Sequence, residues 1–97
     1  MEKNREFILS KQLMRSGTSI GANVKEAEHA QSKADFLSKM NIALKEANET
    51  SYWLKLLKDT DYMTESDFKA LNDSCEGLIS ILVKIVITTK KSLGRIN

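Results

Sequence analysis

The residues best suited to nucleophilic chemistry in this sequence are one cysteine, Cys75, and one histidine, His29. A catalytic thiol needs a basic partner that takes up its proton, and His29 is the only histidine available for that role. Cys75 falls on the apolar side of a helical pattern, which is typical of a small buried residue. A lone cysteine also excludes a disulfide framework and makes a thiolate metal site nearly impossible.

A Ser-x-x-Lys pattern, which some acyl-transfer enzymes use, occurs at Ser66 and Lys69. Those enzymes need partner motifs that this sequence lacks. Ser66 lies where a helix is expected to begin, so we interpret it as part of that helix start. We therefore predict that the protein is not an enzyme and has no small-molecule substrate.

Glu26 and His29 are spaced as a Glu-x-x-His pair, the arrangement that bundle metal sites repeat on a second helix. No second pair of this kind occurs in the sequence. We interpret His29 as a residue that faces solvent, and we expect no metal ion and no cofactor.

Two glycines, Gly17 and Gly21, lie within a helical pattern in the small-residue run 15–23. A glycine in a helix costs about 1 kcal/mol relative to alanine, so its presence needs a reason. A phosphate-binding loop is excluded, because the following Gly-Lys-Ser/Thr element and the preceding strand are missing. Four residues apart, the glycines share one side of a helix and would let another backbone approach. We interpret them as helix-packing positions, in the same chain or against a neighbouring one, with a kink as the alternative.

Tyr52 and Trp53 form an aromatic pair near the middle of the second predicted helix. We expect one of them to pack in the core and the other to point toward a partner or solvent. Bundle or subunit packing is the favoured interpretation, and stacking on a nucleic-acid base is the alternative.

Basic residues could form a surface for phosphate groups, since contacts from Lys and Arg give salt-sensitive, sequence-independent binding. The candidates are Lys11, Arg15 and Lys25 in the first predicted helix and Lys84, Lys90, Lys91 and Arg95 near the C-terminus. The second group falls in residues 77–97, which contain no acidic residue. The alternative is a solvated face whose cations complement helix dipoles. The net charge of +2 does not decide between these interpretations.

Three helices must position these residues, and apolar side chains spaced by 3 and 4 predict them at roughly 4–30, 33–58 and 65–92. The predicted apolar rows are Leu9, Leu13, Ser16, Ile20, Val24 and Ala27 in the first helix, Phe36, Met40, Ala43, Ala47, Thr50, Leu54 and Leu57 in the second, and Phe68, Leu71, Cys75, Leu78, Leu82 and Ile85 in the third. The absence of proline and the abundance of strong helix formers favour the same conclusion. We predict an all-α, antiparallel up-and-down helical bundle that forms a single domain over residues 1–97.

Two of the helix starts carry a hydroxyl followed by an acid, close to a capping box. These are Ser32 with Asp35 and Thr64 with Asp67. The last helix is expected to end near Gly94, because glycine favours the backbone conformation that follows a helix.

The composition excludes a disordered chain and a membrane-embedded one, since 41% of the residues are hydrophobic and 29% are charged. The longest apolar stretch, residues 77–89, is broken by Lys84 and is too short to span a bilayer. No apolar signal core follows the N-terminus. We therefore expect a cytoplasmic protein with no membrane partner.

The predicted helices carry more apolar surface than three helices can cover. The third helix has a second apolar row at Ile79, Val83 and Val86, with Ile87 beside it. The second helix has Leu37, Leu44 and Trp53 off its main row. A fourth helix or neighbouring subunits would cover this surface.

A long ordered part of the sequence resembles a bacterial family called four-helix bundle proteins, whose founding members are encoded in intervening sequences of large-subunit ribosomal RNA genes. The resemblance begins with LSKQLMRSGTSIGAN at residues 9–23. It continues through residues 26–27, 30–33, 35–36, 39–40, 42–47, 49–50, 52–57 and 61–62. After Tyr62 the sequence resembles the family only in its pattern.

The resemblance implies a four-helix up-and-down bundle that assembles into a ring-shaped homopentamer. It also implies a fold similar to that of the accessory variability protein of diversity-generating retroelements, a basic pentameric barrel that binds nucleic acid and reverse transcriptase. Most family members have no established function, and an RNA-linked role is inferred from gene location and from that relative. Family members carry a further amphipathic helix before the region that begins here at Glu2. The first family helix is thus expected to be missing, through truncation, a misassigned start or a natural three-helix version.

Taken together, the residues and the resemblance predict a non-enzymatic, self-associating helical bundle that acts as a nucleic-acid-associated scaffold, with RNA as the first candidate. The alternative is a protein-interaction adaptor that binds a partner helix in the uncovered surface.

Overall fold

The three predicted helices are present in a computed structural model that describes residues 2–94, with side chains from Arg5 onward. They are α1 (Glu2–Glu28), α2 (Lys33–Asp59) and α3 (Glu65–Ser92). No strand occurs in the described residues. The all-α fold class is therefore confirmed, and α2 and α3 differ from their predicted ranges by at most one residue.

Helix α1 begins and ends about two residues earlier than the predicted range 4–30. The reason lies in the start of α2, where Ser32 has an extended backbone and its side chain accepts a hydrogen bond from the Asp35 N–H at 3.0 Å. The chain must leave α1 in time to reach this conformation. The N–H groups of His29 and Ala30 accordingly donate to carbonyls three residues back, which closes the helix.

The other helix ends follow the chemistry expected from the sequence. Thr64 caps α3 by accepting a hydrogen bond from the Asp67 N–H at 3.0 Å. After α2 the chain turns through Asp61, which has a positive φ of 64°. After α3 it turns through Gly94, where φ is 74° and glycine has no Cβ to clash.

Helix α2 lies between its two neighbours and runs antiparallel to both. On one side Glu26 and Arg15 of α1 meet Lys39 and Glu46 of α2 in reversed order along the chain. On the other side Lys58, near the end of α2, pairs with the first residue of α3. Within the described residues, no Cα atom of α1 comes within 8 Å of a Cα atom of α3. The outer helices therefore flank α2 as an open layer.

The core follows from this central position of α2. Ala43 and Ala47 are fully buried, because their small side chains let both neighbours approach closely. The main cluster consists of Ile20, Ala27, Leu37, Met40, Ala43, Ala47, Leu82 and Val86. Leu37 and Ser51 are also buried, although they lie off the main apolar row of α2. A helix that packs on two sides needs two buried rows.

None of the helices in residues 2–94 contains an apolar segment that could cross a membrane.

Candidate functional site

Cys75 and His29, the two candidates for nucleophilic chemistry, are not brought together. Cys75 is buried on α3, and its thiol donates to the Ala47 carbonyl oxygen at 3.4 Å. Burial raises the pKa of Cys75, the nearby Glu76 charge raises it further, and Lys55 partly offsets the effect. His29 is exposed just beyond the end of α1, near the start of α2, whereas Ala47 lies near the middle of α2. Across residues 2–94, no group of three or more His, Cys, Asp or Glu residues could hold a metal ion.

Arg15 is largely committed to contacts within the protein. Its Nη2 donates to Glu49 Oε1 at 2.9 Å, and its Nη1 lies 3.5 Å from Glu46 Oε1. Its Nε also donates to the Gln12 side chain at 3.1 Å. Two carboxylates on α2 therefore balance the charge that the sequence suggested for phosphate binding, which leaves Arg15 the weakest of the basic candidates.

The remaining basic candidates fall into two parts of the molecule. Both outer helices run antiparallel to α2, so their C-terminal ends lie at the same end of the layer. We call this region the basic end, and it comprises Lys25, Lys33, Lys84, Lys90 and Lys91. Lys11 lies in the other half, near the start of α1. Arg95 lies outside the described residues.

Lys33 is a member of the basic end that the sequence reasoning missed. Its Nζ donates to Ser92 Oγ at the end of α3, which places the first residue of α2 beside the last turn of α3. An antiparallel arrangement of α2 and α3 puts the start of α2 beside the end of α3. That arrangement was predicted from the sequence and could have identified Lys33. The lysines of α3 at this end have no ion-pair partner among the described residues.

Acidic residues at the same end are few, and some are already neutralised. Glu26 Oε1 lies 3.0 Å from Lys39 Nζ. The hydrogen bond and the charge of Glu26 raise the pKa of Lys39. Asp35 accepts a long hydrogen bond of 3.4 Å from the Gln31 N–H. Glu28 is exposed and has no ion-pair partner among the described residues, so its charge lowers the positive potential here.

A second feature is an apolar groove between α1 and α3 with α2 at its bottom. It has a volume of ≈ 360 Å³. Its lining consists of Leu13, Met14, Gly17, Thr18, Thr50, Leu54, Leu71 and Cys75. Met14 is 69% exposed and Leu71 48% exposed, so the edges of the groove are apolar and face water. Leu71 was predicted to lie on the core row of α3, and it is exposed because no helix covers the groove.

Gly17 and Gly21 do not meet another helix within the described part of the chain. A Cβ added at either position would have nothing within 4 Å. Helix α1 is nevertheless continuous from Glu2 to Glu28, so the glycines do not break it. Their role against a neighbouring chain stays a prediction.

Polar groups lie beneath the groove, where α1 meets α2. Ser16 is fully buried and donates to the Leu13 carbonyl at 3.1 Å. Its oxygen lies 2.9 Å from Thr50 Oγ1, a contact between helices. Trp53 Nε1 is buried without a hydrogen-bond partner, and buried Glu46 Oε1 has the 3.5 Å ion pair with Arg15 but no hydrogen bond. Sequence reasoning placed Ser16 and Thr50 on the apolar rows, and their polar contact was not visible from spacing.

The aromatic pair divides its roles between the core and the surface. Trp53 is half-buried, whereas Tyr52 is 57% exposed. The two rings make an edge contact with centroids 4.9 Å apart and an angle of 70° between their planes. Tyr52 therefore points away from the bundle and is available to a partner.

The family can now be assigned from comparison with known proteins. The sequence model of a family described as 23S rRNA-intervening sequence protein matches residues 1–84. The chain belongs to this family. A similar solved structure is a protein of unknown function from the S23 ribosomal protein family of Bacteroides thetaiotaomicron. It is 53% identical, with a TM-score of 0.82, and the alignment covers 88% of this chain and 79% of that chain.

The assignment confirms the resemblance drawn from residues 9–62 and extends it into α3. Neither the family description nor the solved relative names an enzymatic activity. The comparison with curated proteins finds no match.

Proposed function

We propose that this protein is a non-enzymatic, self-associating helical scaffold that associates with nucleic acid, with RNA as the first ligand to test. The basic end carries this proposal. Its lysines come from all three helices, and residues 77–94 of α3 and its cap contain no acid to pair with them. The family name refers to an intervening sequence in 23S ribosomal RNA, which supports RNA as the partner class.

The basic end would bind the phosphate backbone, because lysine ammonium groups attract phosphates without reading bases. Self-association would multiply the surface, since each copy in a symmetric ring adds the same set of lysines. The exposed apolar residues support self-association: Phe7, Ile8, Met14, Leu71, Ile81 and Ile87 all leave large side chains in water.

The test is binding of a fluorescein-labelled RNA to the full chain at increasing salt. We expect binding at about 50 mM salt that weakens steeply toward about 200 mM. Replacing Lys84, Lys90 and Lys91 together by glutamine should lower the affinity and reduce the salt slope by up to about three contacts. No binding at low salt, or binding that salt does not change, would contradict the proposal.

Lys69→Gln is a matched control on the same helix. Lys69 is exposed, lies in the other half of α3 and pairs with Asp73 at 3.1 Å. Its replacement removes one positive charge from the chain without touching the basic end. We expect this variant to bind RNA nearly as wild type does.

The groove between α1 and α3 favours a second candidate, a protein-interaction adaptor that binds a partner helix. Its apolar lining and exposed edges, Met14 and Leu71, fit the apolar face of an amphipathic helix. Affinity purification from cells would distinguish the candidates. Recovery of RNA without a stoichiometric protein partner counts against the adaptor, and a protein partner lost in Leu71→Glu supports it.

A further inference from the structure

The outward side of α2 carries polar, basic and aromatic residues that are exposed to solvent. Asn41, Lys45, Asn48, Tyr52 and Lys55 follow one another at steps of 4, 3, 4 and 3, which places them on one side of a helix. All five are exposed. We call this surface the tyrosine face. A shallow depression of ≈ 520 Å³ lies on it, lined in part by Asn41, Lys45, Asn48 and Tyr52.

Two lysines give the tyrosine face a positive charge. Lys45 and Lys55 have no ion pair within residues 2–94. Two acids border the face. Glu49 accepts a hydrogen bond from Arg15 at 2.9 Å, so its charge is already balanced. Asp59 is exposed four residues beyond Lys55 and lowers the positive charge at that end of the face. An anionic partner therefore fits this surface better than a neutral or basic one.

Tyr52 adds an exposed aromatic ring to this charged surface. Its ring is 57% exposed, and its edge contact with Trp53 restrains it, since Trp53 is itself held in the bundle. An exposed, restrained aromatic ring offers a platform on which a base can stack.

Asn48 places an amide group about one helical turn from Tyr52, and Asn41 adds a second amide about 16 Å from Tyr52 along the same face. The Asn48 side-chain N–H donates to the Leu44 carbonyl at 3.2 Å, and this bond leaves its side-chain oxygen free to accept. Amides of this kind can bond to the exposed edges of unpaired bases.

We propose that the tyrosine face binds single-stranded nucleic acid, with one base stacked on Tyr52 and the flanking phosphates on Lys45 and Lys55. The Cα atoms of these lysines are about 15 Å apart at ~1.5 Å of rise per residue, with Tyr52 between them. A duplex fits poorly, because its bases are stacked on one another and cannot offer a free face. This inference rests on the proposed function and gives it a second surface, separate from the basic end.

The test compares a labelled single-stranded RNA of roughly 12 nucleotides with its duplex form, each titrated with the full chain. Tyr52→Leu keeps an apolar side chain and removes the aromatic ring. We expect it to bind the single strand about 5- to 100-fold more weakly and to bind the duplex as wild type does. Tyr52→Phe keeps the ring and should retain single-strand binding.

Two further measurements test the geometry. Trp53 is the single tryptophan and touches Tyr52, so its fluorescence should change when the single strand binds and should change less in Tyr52→Leu. Lys45→Gln and Lys55→Gln should each reduce the salt slope by about one contact.

The outcomes separate this inference from the proposed function. If wild type binds RNA through the basic end and Tyr52→Leu binds the single strand equally well, the tyrosine face is not a binding surface and the proposed function stands. If wild type binds no RNA at low salt, both fail. If Tyr52→Leu lowers the mass in solution and leaves the affinity per chain unchanged, the face is a contact between copies, which overturns the inference.

Discussion

Cys75 lies at the bottom of the groove, where its surroundings hold the proton on its sulfur. Burial raises the pKa of this thiol, and Glu76 adds to the effect. A thiol that keeps its proton is a poor nucleophile and a poor metal ligand. The structure therefore places Cys75 as a small packing residue of α3.

Linkage turns this raised pKa into a stability prediction. Below the ordinary thiol pKa of 9.0, Cys75 is protonated in both the folded and the unfolded chain, so the stabilising effect of the buried neutral thiol is fully present. As the pH rises through that value the unfolded chain loses its proton first, so the free energy of unfolding falls until the folded pKa is also passed. We expect wild type to lose stability between about pH 8 and about pH 10 more steeply than Cys75→Ala, measured by urea unfolding. Parallel pH profiles would contradict this.

Residue identity alone could not locate the partners of Arg15. Its carboxylate partner Glu49 lies 34 residues away in sequence, and their contact depends on the register between α1 and α2. The sequence predicted Arg15 as a phosphate ligand because its type and spacing suit that role. Cys75, in contrast, could be placed from its position on an apolar row of one helix.

At the scale of a helix, the start of α2 depends on one hydroxyl. Ser32 Oγ accepts the Asp35 N–H, a donor that has no partner within the helix. We predict that Ser32→Ala lowers the free energy of unfolding by about 1 kcal/mol, measured by urea unfolding.

The control for this prediction is Ser38→Ala in the same helix. Ser38 is exposed within α2 and its side chain caps nothing, so alanine should be neutral or slightly stabilising there. Equal losses in the two variants would show that the Ser32 cap contributes no stability of its own.

Helix positions were predictable because they depend on local spacing and on these caps. The rows that α2 buries were only partly predictable. Met40, Ala43 and Ala47 lie on the predicted apolar row of α2. Leu37 and Ser51 lie off that row and are buried because α2 packs against two helices. The apolar pattern of one helix does not show how many other helices pack against it. The burial of Ser51 depends on how many do.

At the scale of the whole molecule, substitutions at Gly17 and Gly21 can show whether these glycines face solvent in a single chain or pack against a neighbouring subunit. A Cβ meets nothing at either site, so alanine should raise the helix propensity without a clash. We predict that Gly17→Ala and Gly21→Ala each stabilise an isolated chain by about 0.5–1 kcal/mol. If these glycines pack on a neighbouring subunit, Gly17→Leu with Gly21→Leu should reduce the mass measured by light scattering to that of one chain.

Gly77→Leu provides the comparison for the mass measurement. Gly77 is also helical and open, but it lies on α3 away from the groove. Its replacement should leave the mass unchanged. A wild-type mass of one chain would instead show that the glycines face solvent and that the scaffold does not self-associate.

The open layer of three helices also determines the order in which the helices can unfold. Within the described residues, no Cα atom of α1 lies within 8 Å of a Cα atom of α3, so close backbone packing joins only helices that are neighbours along the sequence. Low contact order of this kind favours rapid folding. Either outer helix can detach and return without disturbing the other, as a local opening of one hairpin. The amide protons of α2 would then be the slowest to exchange with solvent, because they are fully exposed only when both outer helices have left. The central helix is thus the last element to lose its protection, and the two outer helices are free to open independently.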